Sequence, residues 1–68
     1  MRISARNQLR GTVTAITEGP ATAVVHVDVA GQVLVSSITA EAAADLGLRE
    51  GSEVTVLVKA SDVLLAVD

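Results

Sequence analysis

The 68 residues carry a formal net charge of −3, are half apolar, and include no aromatic residue and no cysteine, so one domain spanning 1–68 is expected. Disulfides and thiolate metal sites are excluded, His26 alone cannot anchor a metal clip, and no apolar run is long enough to span a membrane. The acidic balance argues against a non-specific nucleic-acid binder, although the five cations, placed well, suffice for a small anion.

A period of two opens the chain and predicts a first strand. Ile3, Ala5 and Leu9 fall on one face, and Arg2, Ser4, Arg6, Gln8 and Arg10 on the other. The alternation weakens from Gly11 to Thr17, which marks Gly11 as a candidate bulge. After the turn signal Glu18-Gly19-Pro20, the stretch Ala21–Ala30 alternates cleanly, with Val25, Val27 and Val29 opposed to Val24, His26 and Asp28. A second turn at Ala30-Gly31-Gln32 leads into a third strand, Gln32 to Ile38.

Thr39 then offers an N-cap, Glu41 an acid for the first turn, and Ala42, Ala43 and Ala44 strong helix formers. One short helix is expected over roughly 40–46, closed by Gly47 as a left-handed cap. Glu53 to Ala60 reads as a fourth strand with Val54, Val56 and Val58 inward, and Asp62 to Val67 as a fifth. Three strands, a helix and two strands is the order of a mainly β, OB-like five-stranded barrel. Its core of Val, Leu, Ile and Ala lacks the large payload of aromatics, and scaffolds this small need a staple. Self-association is the staple that composition leaves. With no signal-peptide pattern at the N-terminus, a cytoplasmic location is the default expectation.

Two segments carry candidate chemistry. Ser4 and Arg6 are two apart on a strand, hence on one face and about 7 Å apart along it. Lys59 and Ser61 repeat the same pairing of hydroxyl and cation near the other end of the chain. Converging, they would offer donors and no acceptor-only group, as a small oxyanion requires. Apart, they are ordinary solvent-facing pairs. Thr39 precedes a helix N-terminus, where unpaired N–H groups favour an anion, though capping alone explains a threonine there. His26 has no partner and reads as a solvent-facing strand residue; Glu50 and Asp62 read as turn chemistry. No Ser-His-Asp or Cys-His arrangement can be assembled and no Gly-rich phosphate loop is present, so enzymatic activity is not expected.

Ile3–Val13 (ISARNQLRGTV), with Ser36-Ser37-Ile38-Thr39 and the late segment LGLREGSEVTVLVKASDVLLA, resembles the Mop family, the molbindins. The resemblance covers essentially the whole chain, and Ser-Ala-Arg-Asn paired with a late Lys-Ala-Ser is its specific part. It implies an OB-like fold with strands exchanged between subunits, and a homohexamer of three dimers. It further implies a protein that binds, stores and buffers molybdate or tungstate at subunit interfaces in the cytoplasm. The family's motif maps onto Ser4, Ala5 and Arg6, onto Thr39, and onto Lys59, Ala60 and Ser61, with Ala5 and Ala60 contributing main-chain groups. No organic cofactor is implied, and metal is held only as oxyanion. Some relatives carry a further hydroxyl where this chain has Ala42. The same domain occurs fused to transcription regulators and transporter ATPases, but no helix-turn-helix or nucleotide-binding segment fits here, so a free-standing protein is expected.

Two other classes are open to an OB-like fold. A nucleic-acid module stacks bases on aromatics along a basic groove, and this chain has neither feature. A ligand-free assembly domain would need only the apolar surfaces.

Overall fold

The computed structural model describes Met1–Asp68. Four strands, β1 (Asn7–Glu18), β2 (Thr22–Val29), β3 (Gln32–Thr39) and β4 (Glu53–Val58), lie in one antiparallel sheet in the order β3-β2-β1-β4. β1 is long because it serves two neighbours: residues 12–18 pair with β2, and residues 7–12 pair with β4. The register places Val13 opposite Val27 and Asn7 opposite Val58.

The bulge in β1 falls at Thr14, not at Gly11. Register jumps from Val13↔Val27 to Ala15↔His26, so two steps on β1 match one on β2. The extra residue reverses the inward parity, which is why both Val13 and Ile16 pack into the core. Gly11 answers a different need. A Cβ there would lie 2.6 Å from Val27 Cγ1 and 2.8 Å from the Asp28 carbonyl oxygen, so β2 crosses too close for any side chain.

Turn chemistry follows the sequence. Ala30 (φ 49°) and Gly31 (φ 87°) both adopt positive φ, the two-residue reversal that matches strand twist and joins Val29 to Gln32. Helix α1 (Ala40–Asp45) begins where Thr39 Oγ1 accepts from the Ala42 N–H at 3.0 Å. It ends with Leu48 N–H donating to the Ala43 carbonyl and Gly47 N–H to that of Ala44, with Gly47 at φ 64°. These are the two bonds of a Schellman cap, and they satisfy carbonyls that the last turn would otherwise orphan.

The interior is small. Val13, Ala23, Val25, Val27 and Ala43 are the buried residues, with Ile16, Val29, Ile38, Leu48, Val54 and Val56 packed around the three valines. Each fully buried valine contributes on the order of 1.5–3 kcal/mol. Between β3 and β4 the sheet does not close. A trough of about 240 Å³ runs there, lined on one side by Ser36 and Ile38 and on the other by Val54, Val56 and Leu57.

Two expected strands are corrected. Residues 1–6 alternate but pair with nothing, so β1 starts at Asn7. The expected fifth strand is absent: β4 gives way to a 3-10 turn, Ala60–Asp62, and residues 63–68 have no regular structure. Leu64, Leu65 and Val67 are 90%, 93% and 98% exposed. A strand exists only when its N–H and C=O groups find a ladder, and within one chain this tail meets none. The five-stranded barrel is thus a four-stranded open one in the single chain.

Candidate functional site

The β1–β4 ladder ends at Asn7↔Val58. Arg6 and Lys59 lie just outside the two strands, flanking that last rung, so the N-terminal Ser4-Ala5-Arg6 and the late Lys59-Ala60-Ser61 leave the sheet at the same corner. Lys59 holds extended geometry (φ −63°, ψ 134°), and the chain then turns: Asp62 N–H donates to the Lys59 carbonyl at 2.8 Å and Val63 N–H to that of Ala60 at 3.2 Å. Ser4 and Arg6 each sit at a bend, and Gln8 Nε2 donates to the Ala5 carbonyl at 3.3 Å.

The corner is rich in free donors. Ser4, Arg6, Lys59 and Ser61 are exposed, and none of their side chains makes a hydrogen bond or ion pair within the chain. The backbone N–H groups of Ala5, Arg6, Lys59, Ala60 and Ser61 likewise donate to nothing in the chain. Ala5 is half-buried and Ala60 exposed, so either can act only through its main chain. Asp62 is the one acid adjoining the cluster in sequence. Chemically the corner can hold an anion by charge-assisted hydrogen bonds from two cations, two hydroxyls and the intervening amides.

Thr39 is not brought to that corner. It pairs with Thr22 beside the far end of β1, about 36 Å along the strand from Asn7. Its oxygen already caps Ala42, and the neighbouring Ala40 N–H is used on the Ala21 carbonyl at 2.9 Å. Arg10 is spent elsewhere, in a long surface pair with Glu53 at 3.8 Å. His26 is half-buried on the outer face of β2, where its carbonyl accepts from Thr14 Oγ1 at 3.3 Å.

A further polar residue, outside the sequence expectation, lies beside this corner. Asn7 Nδ2 donates to the Val58 carbonyl at 3.0 Å, across 51 residues of chain, at the last rung before the cations. A signal was available: Asn7 shares the inward parity of Leu9, Gly11 and Val13, where an apolar residue is expected.

Comparison with known proteins places this architecture. The TOBE domain family model matches residues 3–65. The probable molybdenum-pterin-binding protein of Haemophilus influenzae is 42% identical over 69 residues, all of both chains. Molybdenum-pterin-binding protein 3 of Clostridium pasteurianum is 46% identical over 66 residues, 96% of this chain and 97% of that one. The solved structure of a molybdate-binding protein from Sporomusa ovata superposes with a TM-score of 0.93 at 42% identity, covering 97% of this chain and 98% of the other. With a TOBE match over nearly its full length and relatives of equal size, the chain belongs to the Mop family of TOBE domains.

Proposed function

We propose that the chain binds molybdate or tungstate as the intact dianion and buffers it in the cytoplasm, in sites completed between copies of a homo-oligomer. The observation that carries the reading is that the β1–β4 ladder ends at Asn7↔Val58, which leaves Arg6 and Lys59 as the flanking residues on its two strands, with no acid neutralising either. Like charges facing each other across strands destabilise a sheet. A dianion seated between them reverses that sign and takes up the free amides and the Ser4 and Ser61 hydroxyls. The relatives' names support the ligand: they bind molybdenum-pterin or molybdate.

Assembly is supported by surface area. The chain exposes 5403 Å², whereas a compact monomer of 6.9 kDa exposes about 4,000 Å². Its radius of gyration of 12.7 Å likewise exceeds the roughly 11 Å of a compact chain this long. A standard interface buries about 800 Å² per partner, so the excess is enough for one. The apolar tail after Asp62 fits the role of the missing fifth strand, laid into the open trough of a neighbour. A hexamer of three dimers, as the family resemblance implies, would bring Thr39 of one copy near the cationic corner of another.

Arg6→Ala and Lys59→Ala test the site. Each removes charged hydrogen bonds worth about 1.5–3 kcal/mol, so molybdate affinity by calorimetry should fall by roughly 10- to 150-fold per variant while the far-ultraviolet spectrum is unchanged. Affinity retained in both variants rejects the site. Native mass spectrometry with and without molybdate gives the anion and subunit counts together, and an oligomer that takes up no anion identifies a ligand-free assembly domain.

A further inference from the structure

We infer that Asn7 is a positioning residue for the oxyanion corner, an inference that rests on the function just proposed. It sits in β1 at a parity shared with Leu9, Gly11 and the buried Val13, where asparagine is a poor strand former. A valine would fit both the strand and the half-buried surroundings better, so local stability does not account for the residue.

Its side chain has one partner, the Val58 carbonyl, at 3.0 Å. That carbonyl and the Lys59 N–H belong to a single planar peptide unit and point to opposite sides of it. Holding the carbonyl therefore fixes the direction of the Lys59 N–H, which donates to nothing within the chain, and sets the path of the chain into Lys59 itself. The bond lies on the last rung of the ladder, one residue from Arg6 on one strand and from Lys59 on the other. Asn7 thus fixes the width of the gap between the two cations. A gap of fixed width favours one anion size over another and spares the ligand the ordering cost of closing it.

The experiment compares wild type with Asn7→Val and with Asn7→Leu, the second being close to asparagine in shape without its donor. Thermal unfolding without anion and calorimetric titration with sodium molybdate and sodium sulfate are measured on each assembled protein. The expected result is a split. The unfolding temperature of Asn7→Val is equal to or above wild type, while molybdate affinity falls about tenfold in both variants, and the ratio of molybdate to sulfate affinity shrinks. Molybdate affinity within about twofold of wild type in either folded variant overturns the inference. So does a loss of stability and affinity together with an unchanged molybdate-to-sulfate ratio, which marks an ordinary structural bond. Wild-type protein that takes up no molybdate overturns the proposed function as well, so failure of the inference alone is recognised by intact wild-type binding.

Discussion

Where β1 runs beside β2, Val13, Val25 and Val27 are buried and their strands are paired along most of their length. Where it runs beside β4, Leu9 and Leu57 stay 38% and 43% exposed, the sheet has an open edge, and the next residues along are two unneutralised cations. Both regions are written in the same alternating apolar code. The first satisfies itself within the chain, and the second is left incomplete by it. On the proposed function, the contrast separates what one copy needs in order to fold from what an assembly would need in order to bind.

The largest effect is expected on the closed side. Gly11→Ala puts a Cβ against Val27 and against a backbone carbonyl that cannot step aside, and should cost about 3 kcal/mol. Urea denaturation at fixed protein concentration measures it; a loss under about 1 kcal/mol would mean that β2 can draw back from β1. On the open side, Leu65→Asp changes a residue that is 93% exposed in the single chain and should leave an isolated fold untouched. If the tail completes a neighbour's sheet, the same change forfeits about 2–3 kcal/mol of burial per copy and shifts sedimentation velocity to smaller species. An unchanged oligomer would break the comparison at its weaker side.

The smallest change sharpens it. Thr39→Ala removes the cap on α1 and should cost about 1 kcal/mol, read again by urea. Molybdate affinity is the second readout. A fall in affinity places the hydroxyl at an anion held by another copy, whereas an unchanged value confines it to capping.

Legibility in the sequence divides along the same line. β2, β3, α1 and their turns were readable because their partners are adjacent in the chain: Val25 and Val27 alternate against a hairpin neighbour, and Gly47 stops the helix by a bond to its own last turn. The late strand and the first six residues carry the same apolar or alternating signal, yet form no ladder, since periodicity reports a wish for pairing and not the presence of a partner. Gly11 illustrates another limit. Glycine in a strand signals either a bulge or a close approach, and only the position of Val27 and Asp28 decides between them. The candidate corner is visible in the sequence only as two short motifs, and it takes the register ending at Asn7↔Val58 to show that both flank the same rung. Asn7 shows in the sequence only as a polar residue at an inward position, and its meaning depends on the carbonyl partner that the fold supplies.

The extra residue at Thr14 has a consequence for how the domain can vary. Side-chain direction is counted from zero again on its far side, so odd positions before it and even positions after it share the interior. The strand is in effect two rulers joined with an offset, the first serving β4 and the opening rungs to β2, the second the remaining rungs to β2. Losing a residue at that joint would leave both scales in phase with the interior, whereas losing one anywhere else in β1 would turn part of a scale inside out.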